Sequence, residues 1–365
     1  MRSASFGARC TIYFMNSIHS IPIRILVTGS RGKSSLVRLL SAALVSFGLN
    51  VRGRITGVLP RELLPGDGIL SPLKETLLLR SGPASVEEMR WWLSTLPRGT
   101  DAVVMENSAV APELQALAFR WLQPCCTVLT NVRPDHEEVW GRGEENAASA
   151  LCSGIGDPGG MTCPEHPVVL PRSVAEKQCV QRLLSAQHCR LLPCGEGNAF
   201  KETHLALVQE VCRLFGFDER QSRAAAAALP PDVADFAFFR EGDGVLAAAF
   251  SANDTESTEQ LFVSTGWSRE ETTLLFNARK DRVRRFRSFL PWIRSFPWKK
   301  VCVTGGRPLF LSSPAVYSPL LDAPSLAGFI RSTGRVFGCG NVAGTPLEYL
   351  ESKFLQFRER QDGVS

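Results

Sequence analysis

Lys33 and Ser34 stand directly behind a glycine-rich turn, "TGSRGKSS" from Thr28 to Ser35, between a short apolar run and a helical pattern. Backbone N–H groups of such a turn, at the start of a helix, form an anion cradle that the helix dipole reinforces. A lysine there reaches the terminal phosphates of a nucleotide, and the hydroxyl that follows ligates the accompanying Mg²⁺. Gly29, Ser30, Arg31, Gly32, Lys33, Ser34 and Ser35 are therefore candidate nucleotide contacts. The spacing is shorter than the usual G-x-x-x-x-G-K-[ST], because Val27 occupies the place of the first glycine. The plain alternative is a strand-turn-helix corner with a solvated lysine.

Two further residues sit where chemistry gathers. Glu106 follows the apolar "AVVM", and His136 lies in "TNVRPDHEEVWG" (Thr130 to Gly141), just after "TVL". In an open α/β sheet, ligands collect at the carboxyl ends of strands. A carboxylate and an imidazole at two such ends can complete a Mg²⁺ shell that bridges phosphate oxygens. Singly, each has an ordinary explanation, the glutamate as a helix cap and the histidine as a structural side chain. Their company with a phosphate loop is what singles them out.

The elements that must hold these groups are legible. Ile23 to Thr28, Asp101 to Met105 and Cys126 to Thr130 read as short buried strands. Leu36, Val37, Leu39, Leu40, Ala43, Leu44 and Phe47 recur at helical spacing before Gly48, and Pro112 to Leu122 has helical character. This alternation predicts a parallel sheet covered by helices. Residues 161–198 are rich in Pro and Cys and have weak periodicity, and helical patterns resume at Thr203 to Phe215 and Arg223 to Leu229. Pro230 and Pro231 then break the chain, and a domain boundary is placed there. A second alternating set, Val245 to Ser251, Thr273 to Asn277, Lys300 to Thr304 and Val336 to Gly338, predicts a smaller α/β domain.

The bulk properties agree with two globular domains in 365 residues. The formal charge of +5 is too mild to imply nucleic acid but favours an anionic ligand. Eleven cysteines without a C-x-x-C pair read as reduced, mostly buried thiols. Cys163, His166, His188, Cys189 and Cys194 match no common zinc spacing. No stretch approaches the ~18 apolar residues of a membrane span, and the N-terminus lacks the apolar core of a signal peptide. A cytoplasmic protein, at most peripheral at the inner face of the membrane, is expected.

The ordered motifs resemble those of the Mur-ligase superfamily of ATP-dependent amide ligases, most closely the catalytic subunit of poly-γ-glutamate synthase. "TGSRGKSS" is similar to that family's compressed phosphate loop. "TGVLPRELL" (Thr56 to Leu64), "GPASVEE" (Gly82 to Glu88), "MENSAVAPELQ" (Met105 to Gln115) and "TNVRPDHEEVWG" resemble the stretches that follow. "PPD" at Pro230, "FSANDTEST" (Phe250 to Thr258), "FNARKDRVRRFRSFLPWI" (Phe276 to Ile293) and "GCGNVAG" (Gly338 to Gly344) continue the series in order. The resemblance implies a P-loop central domain over residues 23–231 after an N-terminal extension over 1–22, and a Rossmann-like C-terminal α/β domain over 232–365.

By the same resemblance, Lys33 grips the β- and γ-phosphates of ATP, and Ser34 and Glu106 hold one Mg²⁺. His136 holds or positions a second. Asn253 and Asp254 reach the nucleotide ribose, and Arg279 and Asp281 lie on a loop that closes over the site. The implied reaction activates a carboxylate as an acyl phosphate, which an amino acid amine then attacks. Glutamate and a polyglutamate chain are the implied substrates, a membrane-embedded synthase or export subunit is a candidate partner, and nucleic acid is not expected. Relatives usually begin with a membrane-spanning segment, which is not seen here, and no counterpart of the carbamylated lysine of some Mur ligases is found. The competing readings are another P-loop ATPase or small-molecule kinase, or an inactive ligase-like scaffold. The basic run "RKDRVRRFR" (Arg279 to Arg287) reads as a solvated helix face or as a surface that steers a polyanion.

Overall fold

The structure, a computed structural model, describes residues 18–56, 59–68, 71–78, 85–156, 165–197, 200–233, 235–252, 254–280, 282–307 and 315–362. The chain divides into two compact units, Met1–Leu229 and Pro230–Ser365.

In the first unit, β1 (Ile23–Thr28) leads through the glycine-rich turn into α1 (Lys33–Val45), followed by β2 (Val51–Ile55) and a hairpin of β3 (Arg61–Gly68) and β4 (Ser71–Leu77). Next come α2 (Glu87–Ser94), β5 (Ala102–Glu106), α3 (Pro112–Leu122) and β6 (Cys126–Leu129). The short α4 (Glu137–Trp140) precedes α5 (Glu144–Cys152), β7 (His166–Pro171), α6 (Arg172–Ala175), α7 (Gln178–Ser185) and β8 (Cys189–Cys194). α8 (Phe200–Leu214) and α9 (Glu219–Ala228) complete the unit. The strand order is β4-β3-β2-β5-β1-β6-β7-β8.

β1 is central, parallel to both β5 and β6, with Val27 opposite Glu106 and Thr28 opposite Leu129. That register puts the ends of all three strands on one edge. Successive residues of the strands face opposite layers. Ile25, Val27 and Val104 pack with Leu36 and Leu40 of α1 and Val208 of α8. Leu26, Val103 and Met105 pack with Met89 and Trp92 of α2 and Ala118 of α3. A sheet buried on both faces has little room to shift, so the strand ends are fixed relative to one another.

Two features differ from the sequence expectation. The β3–β4 hairpin is antiparallel, so the sheet is mixed rather than wholly parallel. Arg38 of α1 donates to Glu75 of β4 at 2.9 and 2.7 Å, and Arg61 of β3 pairs with the same carboxylate. The Pro- and Cys-rich region, which showed little periodicity, supplies β7 and β8 to the same sheet. Ahead of β1, Ile18 and Ile21 are buried with Leu26 and Trp92.

The second unit contains β9 (Ala237–Glu241), β10 (Gly244–Ala248), α10 (Thr255–Ser264), β11 (Thr272–Ala278), α11 (Val283–Arg294), β12 (Lys300–Gly305), β13 (Ala315–Tyr317), α12 (Ala323–Thr333), β14 (Arg335–Cys339) and α13 (Thr345–Asp362). Its sheet runs β13-β12-β11-β14-β10-β9, parallel except for β9 against β10. Phe276 and Phe337 of the sheet pack with Phe262 of α10 and Phe286, Phe289 and Ile293 of α11.

Candidate active site

The turn after β1 needs two glycines for steric reasons. Gly29 has φ +130°, and a Cβ there would lie 2.1 Å from Thr130 Oγ1. Gly32 has φ +75°, and a Cβ there would lie 2.5–2.6 Å from the rings of Phe200 and His204. Gly32 also occupies the N-cap of α1, where no side chain caps the helix and the first turn holds no acidic residue. The positive end of the helix is left open to an anion.

The loop is stitched to the segment after β6. The Ser30 amide donates to Asn131 O (3.2 Å), the Arg31 amide to Asn131 Oδ1 (3.0 Å) and Thr130 Oγ1 to Arg31 O (2.6 Å). Ser30 Oγ donates to Arg133 O at 2.8 Å and accepts from the Arg133 amide at 3.0 Å. These bonds keep the cradle in one conformation before any ligand arrives.

Lys33 folds back and donates through Nζ to Gly29 O at 2.7 Å. Its burial lowers the ammonium pKa, an effect that Glu106 opposes. Ser34 Oγ donates to Glu106 Oε2 at 2.9 Å, and the Thr56 amide donates to the same oxygen at 2.9 Å. Glu106 is buried at the end of β5. The structure thus brings Lys33, Ser34 and Glu106 together, with Ser35 in the same first turn of α1.

His136 is joined to this group through Asp135. Arg31 Nη1 lies 2.8 Å from Asp135 Oδ2, and His136 Nε2 lies 3.5 Å from the same oxygen. Burial pushes the Asp135 carboxyl up, but the Arg31 guanidinium and His136 beside it hold it below its ordinary value. His136 takes the left-handed conformation at φ +46°, which a residue with a side chain adopts only when its surroundings require it. Its ring packs on Trp140, whose Nε1 donates to Val110 O at 2.6 Å.

Sequence reasoning passed over three contributors. Asp135 lies inside a quoted motif, beside the histidine that drew attention. The Thr56 amide carries no side-chain signal at all. His204 is buried under Gly32 with its ring tilted against Phe200, and its Nε2 has no hydrogen-bond partner among the described residues. Burial lowers its pKa to about 4. The only hint was a histidine inside an apolar helical pattern.

The second unit holds the other residues read from the sequence. Asp254 caps α10, accepting from the Ser257 amide at 2.7 Å and from Ser257 Oγ at 2.8 Å. Asn253 and Asp281 lie outside the described residues. Arg279 follows β11 and lines a cavity of about 280 Å³ with Asn277, Lys280, Gly305, Gly306 and Thr345, at the carboxyl ends of β11 and β12 and the start of α13. Behind it, Asn277 Nδ2 donates to Asn341 O at 2.6 Å and Asn341 Nδ2 to Asn277 O at 2.8 Å, which ties the ends of β11 and β14 together.

Of the five Cys and His residues weighed for zinc, Cys163 lies outside the described residues, and His166 Nε2 is 2.8 Å from Thr127 Oγ1. Burial pushes the Cys126 and Cys152 thiols up to about 12, so they behave as small apolar groups. Among the described residues, no helix is long and apolar enough to cross a membrane.

Residues 233–354 match the family model of the poly-gamma-glutamate synthase CapB C-terminal domain. Over 297 residues the chain is 26% identical to PGA synthase CapB of Bacillus subtilis (strain 168), covering 76% of this chain and 74% of that one. It is also 26% identical over 295 residues to the capsule biosynthesis protein CapB of Bacillus anthracis, covering 76% of this chain and 62% of that one. The fold matches MurF ligase from Thermotoga maritima, solved with ADP, at TM-score 0.63 and 12% identity over 100% of this chain and 86% of the other. The chain is thus similar in sequence to PGA synthase CapB, and its fold is similar to that of MurF ligase. The fold is the two-domain α/β architecture that the resemblance implied.

Proposed function

We propose that the chain is an ATP-dependent, ADP-forming amide ligase that lengthens a poly-γ-glutamate chain. The observation that carries this reading is the Ser34–Glu106 bond of 2.9 Å at the mouth of a glycine-rich phosphate loop, in a chain related to a PGA synthase. Ser34 and Glu106 offer a hydroxyl and a carboxylate, the hard oxygen donors that Mg²⁺ prefers, and His136 adds an imidazole nearby. These residues would hold Mg²⁺, which when bound neutralises phosphate charge.

The chain's own groups suit phosphoryl transfer, which depends on positioning and charge stabilisation. The open start of α1 and Lys33 receive the phosphates of ATP. Lys33 exchanges its bond to Gly29 O for one to phosphate, and its low-dielectric setting strengthens that contact. A substrate carboxylate oxygen attacks the γ-phosphorus, and the bond to the β,γ-bridging oxygen breaks to release ADP. The glutamate amine, having lost its proton to solvent, attacks the acyl carbon, and inorganic phosphate leaves as the amide forms. Arg279 suits capture of the incoming glutamate by its carboxylate. A membrane-embedded synthase or export subunit is proposed as the partner that receives the chain, with the ligase at the cytoplasmic face.

The experiment is phosphate release from MgATP with L- or D-glutamate and polyglutamate, present or absent, with mass analysis of the product. Release that requires glutamate, with products growing by one glutamyl unit, is expected. Acceptor-independent ATP turnover would instead support the ATPase or kinase reading, and no turnover under any condition would support the scaffold.

A further inference from the structure

Six of the nine residues from Arg279 to Arg287 are basic and one, Asp281, is acidic, so this stretch holds as much net charge as the whole chain, +5. The remaining residues balance to neutrality. This stretch therefore accounts for the chain's net positive charge.

Its place in the fold is electrostatically awkward. Arg282 is the N-cap of α11, Arg284 and Arg285 lie in its first turn, and no acidic residue accompanies them there. Cations at the positive end of a helix are disfavoured, and like charges three residues apart, as Arg284 and Arg287 are, repel. Packing does not require Arg284 or Arg287. α11 is held by Phe286, Phe289 and Ile293 in the core, whereas Arg284 and Arg287 are exposed. Arg285 reaches Asn341 Oδ1 at 2.7 Å, and Asn341 is the residue that ties the ends of β11 and β14. The start of α11 is thereby fixed beside the cavity lined by Arg279 and Lys280. Local choices that oppose local stability mark a site kept for a ligand.

We propose that the start of α11, with Arg284 and Arg287 at its exposed face, is a docking track for a polycarboxylate polypeptide, the elongating γ-linked glutamate chain. This rests on the reading of the protein as a polyglutamate ligase and adds where the polymer is held. Each γ-linked unit carries one free carboxylate, so the polymer offers repeated anions to a row of cationic side chains, which attract it through their charge. The geometry favours this occupant over nucleic acid. Phe286 and Phe289 are buried in the core rather than offered for base stacking.

The test is fluorescence anisotropy of labelled poly-γ-glutamate with the full-length protein at several salt concentrations. Wild type should bind, more weakly as salt rises. Arg284→Ala/Arg287→Ala should bind roughly tenfold more weakly at low salt, whereas Arg284→Lys/Arg287→Lys should retain most of the affinity. The exposed pair Arg190→Ala/Arg220→Ala, which removes the same charge from the other unit, should bind like wild type. A thermal melt of each variant separates lost binding from lost folding. Equal weakening by both alanine pairs, or tighter binding of a single-stranded oligonucleotide than of polyglutamate by wild type, would overturn the proposal. If wild type ligates glutamate but Arg284→Ala/Arg287→Ala binds the polymer unchanged, this inference alone falls. If wild type neither ligates nor binds, the functional reading falls with it.

Discussion

Arg31 of the phosphate loop and Asp135 of the segment after β6 form an ion pair of 2.8 Å, and the same carboxylate stands 3.5 Å from His136 Nε2. One partly buried acid thus links the loop proposed to receive phosphate to the histidine proposed to serve the metal. A partner of this kind orients a ligand, and its loss commonly costs ~10–100-fold in metal affinity or activity. Asp135→Asn should raise the Mg²⁺ concentration for half-maximal turnover by about that factor. Arg31→Ala should do likewise, and the double variant should be scarcely worse than either single one, because the residues act as a pair. Mg²⁺ titrations of kcat at saturating ATP check this, and multiplicative losses would show that the two serve separate purposes.

Lys33→Ala should reduce phosphate release by ~10²–10³-fold with an unchanged circular dichroism spectrum, since a preorganised charge stabiliser is lost without a change in packing. Glu106→Gln should be comparably damaging. Ser34→Ala combined with Glu106→Gln should add little to Glu106→Gln alone, because the two side chains already share one hydrogen bond. Steady-state phosphate release on the four proteins decides the matter.

His204 and His166 are both kept neutral by burial, with pKa values lowered from 6.5 to about 4. Between those values the unfolded chain binds more protons than the folded one, so stability rises with pH across this window and is lost as pH falls through it. Each histidine contributes a slope of up to about 1.4 kcal/mol per pH unit there. Thermal melts should show Tm declining from pH 6.5 toward pH 4, and His204→Gln should flatten the decline. An unaltered pH profile in that variant would remove His204 as a source of the acid sensitivity.

Arg279 can serve the incoming glutamate or merely the fold, and kinetics separates the two. Loss of a charged hydrogen bond of ~1.5–3 kcal/mol corresponds to ~10-fold or more in affinity. Arg279→Lys should therefore raise the KM for glutamate by about that factor while the KM for ATP changes little. A lowered Tm with an unchanged glutamate KM would assign Arg279 to structure.

Some of this molecule was legible in its residues alone, because the signals involved are local. The run Ile23 to Thr28, the turn "TGSRGKSS" and the helical spacing from Leu36 onward specify a strand, an anion-binding turn and a helix within one short segment. Glu106 and His136 drew attention because each follows a short apolar run, and parallel strands place such ends on one edge.

Other features were decided only in three dimensions. That Glu106 meets Ser34, 72 positions away, depends on β5 pairing beside β1 in one register, which no local pattern encodes. β7 and β8 gave little signal because Pro and Cys interrupt them, and they become strands by extending a sheet that already exists. The β3–β4 hairpin is drawn to α1 by Arg38 and Glu75, a pair 37 residues apart. Asp135 pairs only because the fold brings Arg31 within reach, and His204 is buried only because α8 lies under Gly32. Short-range propensity sets out the pieces, whereas burial of both faces of the sheet chooses which distant side chains meet.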